Sequence, residues 1–233
     1  SPGGDPLPSD LVAEACAKLV AAGKPVVVSQ GDVAASGGYW LGLAGSRVLT
    51  TPLTLTGSIG VMAGWYYDAG LAGKAGLRAD GVQRGEHADL LAGVRMPLLG
   101  LTLPERPLSA EELARVEAYI LAMYERFVQK VAAGRALPPE RVRELGGGRV
   151  WMGRDAVARQ LVDGEGGLTD AIALARKLAG IPPGAEAILA EFPARPWLRW
   201  PQLTPSLPRL GAALAAAVGL VALPTTLHPT SNS

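Results

Sequence analysis

Pro25-Val26-Val27-Val28-Ser29-Gln30-Gly31-Asp32-Val33-Ala34-Ala35-Ser36-Gly37-Gly38-Tyr39-Trp40 is the stretch that decides how this chain is read. An apolar strand runs into a cluster of small residues holding one hydroxyl, and a helix follows. A serine nucleophile needs such a setting, because its backbone must approach the substrate closely and bulky neighbours would block the scissile carbonyl. At a helix start it would also have free backbone N–H groups and a positive dipole end beside it to hold an oxyanion. Taken alone, Ser36-Gly37-Gly38 fits a strand-to-helix turn without chemistry equally well. Its company in the sequence separates the two.

The chain opens on Ser1-Pro2-Gly3-Gly4-Asp5, where a proline and two glycines make a tight turn whose N–H groups can point outward as an oxyanion-hole element. A turn of this kind follows a strand, so the intact protein is expected to carry residues ahead of Ser1. A third piece, Thr54-Leu55-Thr56-Gly57-Ser58-Ile59-Gly60-Val61-Met62, predicts a strand lining a substrate groove. Ala34, Ala35, Thr56, Gly57 and Ser58 are its candidate wall, narrow enough to favour small or apolar side chains.

In this order and spacing the three pieces resemble peptidase family S49, the signal peptide peptidase A type. The resemblance extends to Ala22-Gly23-Lys24-Pro25-Val26-Val27-Val28-Ser29 and, far downstream, to Gly148-Arg149-Val150-Trp151-Met152-Gly153-Arg154-Asp155-Ala156 and Gln160-Leu161-Val162-Asp163. It covers residues 1–180 and is closest to the C-terminal half of the long, duplicated bacterial form. The family implies an α/β fold, a crotonase/ClpP-like ββα spiral, in homo-oligomers associated with the membrane of the cell envelope. It implies hydrolysis of cleaved signal peptides by a Ser/Lys dyad, with no cofactor. On that resemblance Ser36 is the nucleophile, with the Gly37 N–H and the Gly3/Gly4 turn as oxyanion donors.

The departure comes at the base. Short members of the family carry a lysine in a segment resembling G-x-x-K-D, and here that segment reads Gly85-Glu86-His87-Ala88-Asp89. A methyl group at Ala88 cannot accept a proton. In the duplicated form the lysine comes from the N-terminal half, so the resemblance implies a base supplied from outside this chain, by that half or by a neighbouring subunit.

The five lysines present are Lys18, Lys24, Lys74, Lys130 and Lys177. Lys24 begins the strand leading to Ser36, about 20 Å from its far end at ~3.3 Å per residue. Lys18 falls late in a helix running away from the Gly3-Gly4 turn, and Lys130 and Lys177 fall on polar helix faces. Lys74 is not excluded by spacing. His87 is the other substitute, since imidazole titrates near neutral pH, although alternation in an extended segment would turn it away from the position of Ala88. His228 lies in a Pro/Thr/Ser-rich tail.

Composition fits one sizeable core with extensions: 233 residues, 48% hydrophobic, 22 basic against 21 acidic side chains. No basic patch interleaved with aromatics suggests nucleic acid, and no His/Cys cluster or phosphate-cradling glycine motif suggests a metal or nucleotide. Cys16 alone excludes an internal disulfide.

Periodicity predicts helices over 9–22 (capped by Ser9 or Asp10), 36–44, 66–76, 109–133, 138–145, 153–160 and 168–179. Ser109 with Glu112 reads as a capping box, and Leu113, Val116, Ile120, Met123 and Phe127 form one apolar stripe. Strands are predicted at 25–30, 47–50 and 57–63, with an extended piece at 77–84, a loop over 92–108 and one more strand at 187–191. The division is a peptidase domain at 1–182 and a Pro/Trp-rich extension at 183–233. In that extension the apolar run Leu210 to Leu223 is shorter than the roughly 20 residues a membrane span takes. It reads as an apolar helix docked on a partner or lying at a membrane surface, the first favoured because its flanks lack the basic residues of an interfacial anchor.

Two readings of other classes stand beside the protease. A catalytically incomplete homologue would hold peptide or serve as an assembly scaffold, which Ala88 favours. A crotonase-type acyl-CoA enzyme would share the backbone oxyanion hole but needs loop carboxylates and a basic groove for CoA.

Overall fold

The computed structural model describes residues 1–65, 67, 70–74, 76, 82–89, 93–96, 101–104 and 106–192. The chain divides into two compact units, Ser1–Trp65 with Leu108–Glu186, and Tyr66–Pro107 with Ala187–Ser233.

The first unit opens on helix α1 (Pro6–Ala21). It starts earlier than periodicity predicts, because Asp5 is the cap: its carboxylate accepts the Leu7 N–H at 2.8 Å and Pro6 sets the first helical φ. Ser9 lies inside the helix, buried, its hydroxyl donating to the Asp5 carbonyl at 3.0 Å. Strands β1 (Val27–Ser29) and β2 (Val33–Ala35) follow, then a short helix α2 (Gly37–Trp40). Strands β3 (Arg47–Thr50) and β4 (Leu55–Gly57) repeat the pattern.

The pairing explains the repeat. β1 runs parallel to β3 with Val28 opposite Val48, and β2 runs parallel to β4 with Ala34 opposite Thr56. Each successive pair of strands thus contributes one strand to each of two sheets. One sheet is completed by β8 (Gly164–Glu165), parallel to β3, and the other by β7 (Val150–Met152), antiparallel to β4. Gly31-Asp32 and Thr51-Pro52 sit where the chain changes sheets.

The capping box forms as read: the Ser109 hydroxyl accepts the Glu112 N–H at 3.2 Å and the Glu112 carboxylate accepts the Ser109 N–H at 2.8 Å. It starts helix α4 (Ala110–Arg135), whose C-terminal half buries Phe127, Val128, Val131 and Ala132, while Leu113 stays exposed. Helices α5 (Pro139–Leu145), α6 (Gly153–Ala158) and α7 (Leu168–Leu178) follow, α7 against β1. The core gathers Tyr39, Trp40, Val48, Ile59, Phe127 and Val142. Trp40 and Phe127 lie with ring centroids 4.7 Å apart, a favourable aromatic distance.

In the second unit, the helix predicted at 66–76 is described only as α3 (Leu71–Lys74), and residues 93–104 are not a loop throughout. β5 (Gly93–Met96) and β6 (Leu101–Pro104) pair antiparallel, Val94 opposite Leu103. The predicted strand at 187–191 has no regular structure. The Pro/Trp-rich stretch beyond 192 and the run from Leu210 to Leu223 lie outside the described residues. Among the described residues no helix is long and apolar enough to cross a membrane.

Candidate active site

Ser36 leaves β2 with φ 52° and ψ −124°. Side chains avoid this backbone conformation and glycine prefers it. A non-glycine residue held there costs of order 1–3 kcal/mol and persists only where its surroundings overdetermine it. The constraint is visible on both sides. The Ser36 N–H donates to the Gly57 carbonyl at 2.8 Å, and the Ser36 carbonyl accepts from Tyr39 at 2.9 Å and Trp40 at 3.0 Å. The side chain is lifted out of the strand as at a nucleophile elbow. Although Ser36 is the N-cap of α2, its hydroxyl makes no capping bond.

The glycines around it are small because of how closely they approach. A Cβ at Gly3 would stand 2.8 Å from Ser36 Cβ and 3.2 Å from its Oγ. A Cβ at Gly37 would meet the Ser9 hydroxyl at 2.6 Å and the Gly4 nitrogen at 3.2 Å. The opening turn therefore lies directly on the serine. Ser1 anchors it by pairing with β2, its amino group donating to the Val33 carbonyl at 2.7 Å and its carbonyl accepting the Ala35 N–H at 3.0 Å. The two glycines of the turn differ: the Gly3 N–H points to the Ser1 hydroxyl at 3.3 Å, whereas no described residue accepts the N–H of Gly4 or Gly37. With only four residues, α2 contributes free N–H groups rather than a sizeable dipole.

The candidate groove residues divide as well. Ala35 and Gly57 are buried and Ser58 is half-buried. Thr56 is fully buried with its hydroxyl donating to the Ala34 carbonyl at 2.8 Å, so its side chain ties β4 to β2. Gly57 is small because Trp151 lies against it, its Cδ1 2.9 Å from where a Cβ would stand. This accounts for the downstream motif: Gly148 N–H donates to the Ile59 carbonyl at 2.9 Å and Ser58 N–H to the Arg149 carbonyl at 2.7 Å, locking β7 onto β4. Ser58 itself sits at φ 49°.

Behind the serine, the Tyr39 hydroxyl donates to the Leu161 carbonyl at 2.7 Å, and burial pushes its phenol well above the ordinary value. Trp40 Nε1 donates to Asp10 at 3.2 Å. The Lys130 ammonium, 2.7 Å away, holds the Asp10 carboxyl below the usual carboxylate value. At Asp163 burial pushes the carboxyl up, but the Arg135 guanidinium and the Val48 N–H outweigh it and the net shift is downward. The motif Gln160–Asp163 thus braces α2 and β3.

A base is harder to find. Lys18 pairs with Glu14 at 2.9 Å and Lys130 with Asp10, while Lys24 and Lys177 are exposed. Among the described residues none hydrogen-bonds to Ser36 Oγ. Lys74 and His87 belong to the second unit, Lys74 exposed and His87 half-buried and engaged in a contact of its own. Residues 86–89 form a turn rather than an extended segment, so alternation does not apply to His87 and Ala88. Ala88 is exposed, and Asp89 beside it accepts two 2.8 Å hydrogen bonds from Arg106. Among the described residues no group of His, Cys, Asp or Glu is arranged to hold a metal.

A constrained serine with free amides around it also describes other acyl-transfer sites, and comparison with known proteins decides the family. The model of peptidase family S49 matches residues 18–182. The chain belongs to peptidase family S49. Among its S49 relatives, the chloroplast serine protease SPPA of Arabidopsis thaliana is 40% identical over 203 residues, 87% of this chain and 28% of that protein. Protease 4 of Salmonella typhi is 37% identical over 179 residues, 77% of this chain and 27% of that one. A protein of Enterococcus faecium named as a signal peptide peptidase SppA is 32% identical over 172 residues, 74% of this chain and 47% of that one. The chain therefore spans between about a quarter and a half of the length of these relatives.

Proposed function

We propose that this chain is the serine-bearing part of an S49 endopeptidase that degrades apolar peptides such as cleaved signal peptides. The observation that carries the reading is Ser36 itself: a strained residue between β2 and α2, its hydroxyl free, with Gly3 and Gly37 at the limit of approach. Ser36 Oγ attacks the scissile carbonyl carbon as its proton passes to a neutral lysine amine supplied from outside the chain. The carbonyl electron pair moves to oxygen, where the Gly37 and Gly4 N–H groups meet the developing charge. When the C–N bond breaks, the lysine returns the proton to the leaving amine. Water then attacks the acyl-serine ester as the lysine accepts its proton, and when the acyl C–Oγ bond breaks the lysine passes that proton to Ser36 Oγ, restoring the hydroxyl and the neutral amine. Burial keeps such a lysine neutral at working pH. Ala35 and Ser58 would flank a narrow subsite.

The two consecutive strand pairs feeding two sheets support a crotonase-like ββα spiral for the first unit. Exposed Leu7, Leu11 and Leu19 on α1 are apolar surface of the kind an assembly covers. The reading extends to a homo-oligomer at the cell envelope.

A fluorophosphonate probe tests the site. The chain alone should label weakly, and strongly once a lysine-bearing N-terminal half is supplied in trans, with Ser36→Ala abolishing the signal. Full labelling of the chain alone would reject an external base and point to Lys74 or His87. No labelling under either condition would leave the peptide-holding homologue.

A further inference from the structure

Helix α1 continues directly from the opening turn, so whatever fixes α1 also fixes the Gly4 N–H. The helix buries only Ser9 and Ala13, and two small side chains make a thin attachment. Among the described residues, every side-chain hydrogen bond from α1 to another element ends on Asp10. Its Oδ1 accepts from Trp40 Nε1 of α2 at 3.2 Å and from Lys130 Nζ of α4 at 2.7 Å. Its Oδ2 accepts from Arg126 of α4 at 3.1 Å. Trp40 also lies against the Phe127 ring, and its backbone N–H donates to the Ser36 carbonyl at 3.0 Å. One carboxylate therefore joins the helix behind Gly4, the short helix behind Ser36 and Gly37, and α4.

α1 and α2 meet at a second point, beside the serine. The Ser9 hydroxyl stands 2.6 Å from where a Cβ of Gly37 would be, and the Gly4 nitrogen 3.2 Å from it. A single point of contact leaves two helices free to pivot. Trp40 lies about one turn of α2 beyond Gly37, so its bond to Asp10 removes that freedom.

We propose that Asp10 is the positioning residue of the oxyanion hole: by tying α1 to Trp40 it sets the separation of the Gly4 and Gly37 N–H groups. The proposal rests on the reading of Ser36 as the nucleophile and of these two amides as its oxyanion donors. Such donors act only when aimed at the oxygen of the transition state, and a displacement of about 1 Å can cost on the order of a hundredfold in rate. The residue type follows from its partners. An indole N–H, an ammonium and a guanidinium are all donors, and a carboxylate, being acceptor only, meets all three. An amide would keep an acceptor for Trp40 but turn an N–H toward a cation. Lys130 and Arg126 are exposed, where ion pairs contribute little to stability; their part is to hold the carboxylate in place for Trp40.

The chain, mixed with a lysine-bearing N-terminal half, is labelled over a range of fluorophosphonate concentrations, which separates the saturating rate from the half-saturating concentration. Asp10→Ala should lower the saturating rate about ten- to a hundredfold and leave the half-saturating concentration unchanged, since an oxyanion donor acts on the transition state. Trp40→Phe, which removes the indole N–H, should slow labelling to a similar extent, and the double variant should be no slower than the slower single one. Asp10→Asn keeps an acceptor for Trp40 and should stay within about threefold of the parent. A purely structural role predicts a lower urea midpoint and a smaller labelled fraction at an unchanged saturating rate. That pattern overturns the proposal, as do single losses that multiply in the double variant, or an Asp10→Asn as slow as Asp10→Ala. Where Asp10→Ala fails to fold, Trp40→Phe decides alone: a slowed saturating rate supports the proposal and the parent's rate overturns it. A parent that does not label with the added half rejects Ser36 as nucleophile and the proposal with it, whereas a labelled parent beside an unslowed Asp10→Ala rejects the positioning role alone.

Discussion

At the scale of the residue, Ser36 sets stability against the chemistry proposed for it. Its φ of 52° and ψ of −124° suit glycine, and the hydroxyl makes no capping bond that would offset the strain. Ser36→Ala keeps a Cβ in the strained conformation, whereas Ser36→Gly removes it. Both variants should lose probe labelling, but Ser36→Gly should be the more stable of the two by about 1–2 kcal/mol, read as a shift in urea midpoint. Equal midpoints would mean that the strain is relieved in solution. Ser36 and its glycines stood out in the sequence only through their company. Ser36-Gly37-Gly38 alone reads equally as a plain turn, and the opening Ser1–Asp5 turn and the Thr54–Met62 piece single it out. The roles within the groove were not legible. Thr56 and Gly57 look like groove residues in a string of letters, and only the Ala34 carbonyl and the Trp151 ring reveal that they hold strands together. Likewise Gly3 and Gly4 read as equivalent until the Ser1 hydroxyl occupies the N–H of one of them.

At the scale of the element, α2 is too short to hold itself, and its neighbours hold it. One tie is the Tyr39 hydroxyl to the Leu161 carbonyl, fully buried. Tyr39→Phe leaves that carbonyl unpaired and should cost about 1–2 kcal/mol. It should also slow labelling of Ser36, three residues away on the same turn, as a probe time course would measure. Two residues on from Leu161, Asp163 ties β3 to α4, accepting from Val48 at 2.6 Å and from Arg135 at 3.0 Å. Its folded carboxyl titrates below the ordinary value. Its contribution is therefore complete above about pH 4 and is lost as pH falls through the lowered folded value. Asp163→Asn should destabilise by about 2 kcal/mol at pH 7, and its deficit against the parent should shrink below about pH 4. Urea midpoints at pH 7, 5 and 3 check both statements. Long periodic elements such as α4, and the Ser109–Glu112 box that starts it, could be read in advance. β7 and β8 could not, because strands of two or three residues inside glycine-rich motifs carry no alternation to read. The β5–β6 pair escaped for a related reason: leucine, proline and glycine over residues 92–108 resemble a loop until the chain pairs with itself.

At the scale of the whole molecule, the two units divide the question of the base. Unit one carries Ser36 and the opening turn, and the bonds of Tyr39, Trp40 and Asp163 behind α2 join residues of that unit. Unit two carries Lys74, His87 and the position of Ala88. Replacing Tyr66–Pro107 by a Gly/Ser linker of about ten residues, flexible and long enough to leave the ends free, should leave the first unit folding as a cooperative block. Among the described residues, its core of Tyr39, Trp40, Phe127, Val128 and Val142 includes none from the removed segment. Calorimetry should find one transition within a few degrees of that of the parent, as expected for a unit whose buried contacts are internal. A collapse of that transition would mean that Tyr66–Pro107 contributes to the core. The same variant, mixed with a lysine-bearing N-terminal half, carries the functional contrast. If the base comes from outside the chain, probe labelling of Ser36 persists without the segment. If labelling vanishes while the transition stays, the segment supplies what the serine needs, and Lys74→Ala and His87→Ala in the full chain then identify the residue. The strained turn at Ser36 is built from residues of its own unit, so the base proposed for it can be sought without unfolding the site.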